Sequence, residues 1–134
     1  MSFLGKTYKF VRHENFDGFL KGVGLPDDKI EKAMQVNPSF KLVKNGDSYT
    51  STVISDAGTK DVTFKSGVEF DDTIGPDNFP VKSTYVVDGN KVTQTITTSD
   101  KGTGVFTREF NGDECVVTLK SDKWDGVAKR FYKA

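Results

Sequence analysis

Cysteine occurs once, at Cys115, so the chain can form no internal disulfide, and His13 is the only histidine, so metal-ligand spacing is absent. Excess charge is also lacking: 19 Lys+Arg against 19 Asp+Glu leave a formal net charge of zero. That balance argues against a phosphate-backbone partner, which calls for a basic excess. No apolar run approaches the roughly 18 residues of a membrane span. The opening Met1-Ser2-Phe3-Leu4-Gly5-Lys6 holds no apolar segment of signal-peptide length. The Asn-x-Ser triplet Asn37-Pro38-Ser39 is blocked as a sequon by its proline. The expectation is a soluble, cytoplasmic protein whose 134 residues form a single domain, 1–134.

What is abundant is aromatic. Eleven Phe and four Tyr stand against few leucines, and 13 glycines are spread along the chain. Turn pairs fall at Asn45-Gly46, Ala57-Gly58, Ser66-Gly67, Gly75-Pro76, Asp88-Gly89, Lys101-Gly102, Asn111-Gly112 and Asp125-Gly126. Their spacing of about 9 to 14 residues is that of successive hairpins. With a first strand over Lys6–Arg12, this predicts about ten antiparallel strands, which must close on themselves to protect their edges. Only the stretch from Asn15 to Asn37 reads as helical. Asn15 is placed as an N-cap, Phe16, Phe19, Leu20 and Val23 form one stripe, and Gly24 stops the turn. Pro26 fits the first turn of a second helix, with Asp27 and Asp28 at its positive end and Ile30, Ala33 and Met34 on its apolar side. The expected fold is all-β: a ten-stranded antiparallel up-and-down barrel, capped at one end by a short helix pair.

Alternation orients the strands. Glu109 belongs in water, which turns Gly104, Phe106, Arg108 and Phe110 inward; Lys129 and Lys133 likewise turn Ala128, Arg130 and Tyr132 inward. The same rule sends in Tyr8, Phe10, Phe40, Leu42, Tyr49, Val53, Val62, Phe64, Val68, Phe70, Val81, Tyr85, Ile96, Val117 and Leu119. It also sends in the polar Ser51, Ser55, Asp72, Ser83, Gln94 and Thr98. A packed core does not hold two arginines against one inward acid, because an unpaired buried cation costs several kcal/mol. Two readings fit: a one-residue slip that flips a face, or a wet cavity whose positive charge awaits an anion. In the second, Arg130 and Tyr132 at i, i+2 and Arg108 on a nearby strand grip a carboxylate, while the phenylalanines line a path for its tail.

Enzyme chemistry finds little support. Cys115 shares an inward face with Val117 and Leu119 and reads as a small core residue. His13, at a strand end, is expected on the surface. Gly102-Thr103-Gly104 lacks the third glycine and the helix of a dinucleotide fingerprint. Asp71 and Asp72 fall on opposite faces, so they cannot share acid–base work. The adjacent helices do not suit base reading, since the second opens on two aspartates.

At these residues the chain resembles the intracellular lipid-binding proteins, specifically the fatty-acid-binding proteins. The resemblance rests on Gly5-Lys6-Thr7-Tyr8-Lys9-Phe10 with Asn15-Phe16-Asp17, on Gly67-Val68-Glu69-Phe70-Asp71-Asp72-Thr73, on Thr107-Arg108-Glu109, and on Arg130-Phe131-Tyr132. Tyr8 stands where the family usually has Trp, and Ala57 and Gly58 where many members have Phe and Lys. The resemblance implies a clam-like, calycin-type barrel that carries long-chain fatty acids such as palmitate or oleate in the cytosol, without cofactor, metal or catalysis. It assigns the carboxylate to Arg108, Arg130 and Tyr132. The expected cavity and portal lining is Phe16, Phe19, Leu20, Ala33, Met34, Ser55, Phe64, Phe70, Asp72, Tyr85, Gln94, Phe106 and Val117. A retinoid or other hydrophobic carboxylic acid on the same fold is the alternative cargo. A monomer is expected, with no nucleic-acid partner. The helix end is expected to open beside Gly58 and Gly75, with Phe79 a candidate portal aromatic. Lys21, Lys29 and Lys32 are expected to give the helix pair a weak, transient attraction to anionic membranes, the alternative being a merely solvated helix face.

Overall fold

The computed structural model describes residues 3–56, 58–74, 79–99 and 102–134, with Ile74 described by its backbone alone. The Ala57-Gly58, Gly75-Pro76 and Lys101-Gly102 turns therefore fall partly or wholly outside the described residues, as does the Gly75 hinge. The elements run β1 (Thr7–Glu14), α1 (Phe16–Gly22), α2 (Asp27–Met34), β2 (Ser39–Asn45), β3 (Ser48–Ser55), β4 (Gly58–Phe64) and β5 (Phe70–Ile74). They continue with β6 (Phe79–Asp88), β7 (Lys91–Thr97), β8 (Thr103–Asn111), β9 (Glu114–Ser121) and β10 (Trp124–Lys133).

All ten strands join one antiparallel sheet in the order β4-β3-β2-β1-β10-β9-β8-β7-β6-β5. Closure comes from the chain's two ends, where β1 pairs with β10 (Phe10 opposite Tyr132, His13 opposite Arg130). The expected hairpin rhythm breaks once: the turn at Ser66-Gly67 links β4 to β5 without pairing them. The barrel is thus nearly, not fully, closed. Val68, expected on an inward strand face, lies in that link and is 53% exposed. Across the unpaired edges the Lys60 ammonium of β4 donates to the Thr73 carbonyl of β5 (2.6 Å) and the Thr73 hydroxyl (2.8 Å), with the Asp72 carboxylate 3.4 Å away.

Opposite the helices the barrel is plugged with rings. Phe3 stacks on Phe110 with centroids 4.2 Å apart, and Tyr8 meets Phe110 edge-on and Phe40 face-on. The Tyr8 hydroxyl donates to the Gly112 carbonyl at 2.9 Å, so the plug leaves that buried polar atom satisfied. Phe3 had no place in the alternation scheme, because it precedes the first strand.

The helices depart from expectation at their starts. Asn15 adopts the left-handed conformation (φ 56°) and makes no side-chain cap; its amide reaches the Val127 carbonyl instead. Pro26 occupies the N-cap position just ahead of α2, its extended ψ starting the turn. Gly24 does stop α1, with φ +91° and its N–H on the Lys21 carbonyl. Asp125-Gly126 is not a turn. The hairpin turns at Asp122 and Lys123, and Gly126 lies inside β10, where the register slips between Trp124 and Ala128. A Cβ at Gly126 or at Gly22 would run into the Trp124 indole, so the glycines let that ring seat α1 against the strand.

Candidate functional site

Neighbouring strands set the site. Arg108 of β8 lies opposite Val117 of β9, and Val117 lies opposite Arg130 of β10, so the two arginines straddle one buried valine on the inward face. Tyr132, two residues beyond Arg130, faces the same way opposite Cys115 and Phe10. The one-residue slip is excluded for these strands, since Arg108 pairs with Val92 and Val117, both nearly fully buried.

The Arg130 guanidinium is walled by rings, 4.5 Å from the Phe16 centroid, 4.8 Å from Phe10 and 5.8 Å from Tyr132. Its Nη2 donates a long bond, 3.4 Å, to the Val36 carbonyl just past α2. Its Nε is buried without a hydrogen-bond partner among the described residues, and so is Nη1 of Arg108. Arg108 Nη2 donates to Gln94 Oε1 at 3.0 Å. Burial, reinforced by Arg108, pulls the Arg130 guanidinium below its usual pKa, with Tyr132 opposing. Burial also raises Tyr132 above the ordinary phenol, against the pull of both arginines, so its hydroxyl keeps its proton near neutrality and can donate it. Two guanidinium groups, each with a buried nitrogen that lacks a hydrogen-bond partner among the described residues, and a neutral phenol share this inward face.

Val53, opposite the buried Phe40 and therefore facing in, remains 37% exposed. Phe16, Phe19 and Leu20 form the buried stripe of α1, and Phe19 meets both Phe106 and Trp124 edge-on at 5.8 Å. Ala33 and Met34 pack half-buried against the same core from α2. Phe64, Phe70 and Tyr85 stack near-parallel, with Phe64 and Tyr85 4.3 Å apart. Ser55 sits half-buried at the end of β3, paired with Gly58. Asp72 and Gln94 are brought together through Ser83.

Three groups escaped the sequence reading. Lys60 shares the inward parity of Val62 and Phe64, a signal that was present and unused. Trp124 anchors α1. His13 is half-buried rather than on the surface, its ring 5.7 Å from both Phe10 and Phe16, because the register of β1 shifts between Phe10 and Arg12 and sets His13 opposite the inward Arg130. Cys115 is the inert core thiol expected: it is 1% exposed and burial pushes its pKa up to about 12. Asp71 faces outward to Lys82 while Asp72 faces in, as alternation required.

A family model described as the lipocalin / cytosolic fatty-acid binding protein family matches residues 4–127. The chain belongs to this family. Its members are carriers rather than enzymes. Within the family the chain is similar to fatty acid-binding protein 1 of Manduca sexta, 53% identical over 134 residues with 100% of each chain covered. A solved fatty-acid-binding protein from Manduca sexta superposes with a TM-score of 0.94 at 54% identity, covering 99% of this chain and 100% of that one. A fatty acid binding protein of Schistosoma mansoni, solved in complex with arachidonic acid, gives a TM-score of 0.87 at 32% identity, covering 98% and 95%.

Proposed function

We propose that the protein binds and carries long-chain fatty acids, with the carboxylate on Arg108, Arg130 and Tyr132 and the tail against the aromatic interior. The observation that carries this reading is the pair of buried guanidinium nitrogens, Arg108 Nη1 and Arg130 Nε, left without acceptors among the described residues. A buried donor without a partner costs about 1–3 kcal/mol, and a carboxylate supplies acceptors for both. The names of the similar proteins, fatty acid-binding in each case, support the cargo.

The affinity is expected to come mainly from the tail. At about 0.8 kcal/mol per buried methylene, removing four carbons weakens binding by about 3 kcal/mol. The head group adds about 2–3 kcal/mol net. Calorimetry with a C12–C16 acid series and the matching methyl esters, on the native chain and Arg130→Leu, tests both halves. Arg130→Leu is expected to lose thirty- to a hundredfold for the acid and nothing for the ester. Equal losses for both would remove the carboxylate assignment; affinity independent of chain length would remove the tail cavity. Extraction and mass spectrometry of co-purified ligand separates a straight-chain acid from an isoprenoid one.

The family's cytosolic description and the buried, unpaired Cys115 support a cytoplasmic carrier. Lys60 bridges the two sheet edges instead of leaving them open to another chain, which supports a monomer. Exposed Lys21 and Lys32 on the helix pair support brief contact with anionic membranes during transfer. Transfer rates to vesicles with and without anionic lipid, before and after Lys21→Glu plus Lys32→Glu, test that step; equal rates throughout would remove it.

A further inference from the structure

The inward face carries a chain of hydrogen bonds that the carboxylate grip does not itself require. Arg108 Nη2 donates to Gln94 Oε1 (3.0 Å), Gln94 Nε2 to Ser83 Oγ (3.3 Å), and Ser83 Oγ to Asp72 Oδ2 (2.9 Å). Ser83 is 0% exposed, Gln94 3%, and the Asp72 side chain 6%, so water does not compete for these groups. The far end is pinned: Asp72 Oδ1 accepts the Thr73 N–H at 2.8 Å and faces the Lys60 ammonium that spans the open edges of the barrel.

The donor and acceptor inventory gives the chain one direction. Guanidinium only donates, so Gln94 must present its carbonyl to Arg108. Ionised carboxylate only accepts, so the Ser83 hydroxyl must point at Asp72, leaving its lone pairs for the Gln94 amide N–H. Every bond runs from cation to anion, and the two charged ends agree on the orientation of the amide between them. Without the anion, the Ser83 proton loses its fixed acceptor, and the Gln94 amide is anchored from the Arg108 end alone.

Resting on the carboxylate reading above, we propose that Asp72 is a positioning residue for the head-group site. Acting through Ser83 and Gln94, it holds Arg108 by Nη2 so that Nη1, the unpartnered nitrogen, is left aimed at the ligand. The relay thereby sets the preference for a carboxylate over a neutral alcohol of the same chain. It makes a prediction opposite in sign to simple electrostatics. Removing a negative charge from the interior should strengthen binding of an anion by Coulomb's law; loss of the relay should weaken it.

The test is binding of palmitate and of hexadecanol to Asp72→Asn, Ser83→Ala and Gln94→Leu, singly and combined. Asp72→Asn is expected to lower the acid-to-alcohol affinity ratio five- to twentyfold. Ser83→Ala, which removes no charge, lowers it comparably and stands in should Asp72→Asn fail to fold. In the Gln94→Leu background neither has any further effect, because the amide that carries the influence is gone. A ratio unchanged or raised by Asp72→Asn and Ser83→Ala, or a fall that persists in Gln94→Leu, overturns the proposal. A native chain with no preference for palmitate overturns the carboxylate reading instead. The ligand-free NMR signal of the Gln94 side-chain amide then decides the relay alone: it shifts in Asp72→Asn if the relay exists, and a signal that stays put overturns it.

Discussion

The two ends of the barrel are built from the same alternating strands and put them to opposite uses. At the end away from the helices, Phe3, Tyr8 and Phe110 are 1%, 1% and 4% exposed, and the Tyr8 hydroxyl has a backbone acceptor. Nearer the helices, the same inward parity holds Val53 at 37% exposure and two guanidinium groups with donors left unfilled among the described residues. The first region is a packed core, and the second is the region proposed to take the ligand. What separates them is not hydrophobicity, since phenylalanines line both, but whether the inward polar atoms find partners within the chain. Stability and binding should therefore respond to mutation separately.

The largest effect should come from the plug. Phe110→Ala removes a ring in contact with Phe3, Tyr8 and Phe40. A loss of about 3–5 kcal/mol is expected in urea denaturation, with the preference for acid over ester unchanged. If that preference fell along with stability, the two regions would not be independent.

Arg130→Leu probes the other side of the contrast. Burial disfavours the charged form of this side chain and pulls its pKa down, so holding the cation inside the barrel costs stability. The ligand-free variant should unfold at equal or higher urea concentration, a gain of about 0.5–2 kcal/mol. A marked loss of ligand-free stability would make Arg130 a structural residue of the first region.

Alkaline pH acts on the buried thiol and phenols of both regions. Cys115 is raised from 9.0 to about 12, and burial raises Tyr132 and Tyr85 as well. A group whose folded pKa is raised stabilises fully below its unfolded pKa and loses that contribution as pH rises toward the folded one. Native stability should thus begin to fall above pH 9, by about 1 kcal/mol from Cys115 between pH 9 and 10. In Cys115→Ala the fall should begin about a unit later, where the tyrosines titrate. Urea midpoints at pH 8, 9 and 10 read this directly; identical profiles would place the thiol in a wetter site than its exposure indicates.

The smallest effect sharpens the comparison at the open edge. Lys60→Met removes the ammonium linking β4 to β5, a half-exposed group worth under about 1 kcal/mol in global stability. Amide exchange should quicken in β4 and β5 and stay unchanged in β1 and β10, which backbone ladders hold. Uniform acceleration would show that the edges are not a local weak point.

Strand number, strand parity and the two helices were legible in the sequence, because period-two alternation and the turn pairs are local signals. The parity of Arg108, Arg130 and Tyr132 was legible too, since neighbouring Glu109 and Lys129 can face only water. The misreadings share a cause. Gly126 looked like a turn and is a slipped strand register; Asn15 looked like a cap and reaches Val127; His13 looked exposed and lies between two rings. In each case pairing within the sheet, or a residue brought near by it, changed the meaning of a local pattern: the β9–β10 register for Gly126, Val127 for Asn15, and Arg130 opposite His13.

By itself, then, the sequence determined a sheet of alternating strands, a helix pair and two inward cations in excess of acid, because each follows from residues within a few positions of one another. Tertiary structure alone decided where the barrel stays open, which side chain spans that opening, and which nitrogens of the two arginines remain unfilled. Those depend on the pairing of β1 with β10 and on groups such as Lys60 and Thr73, or Arg108 and Gln94, meeting across the interior. A hydrogen bond is made or missed within a fraction of an ångström, and no pattern along the chain carries that distance.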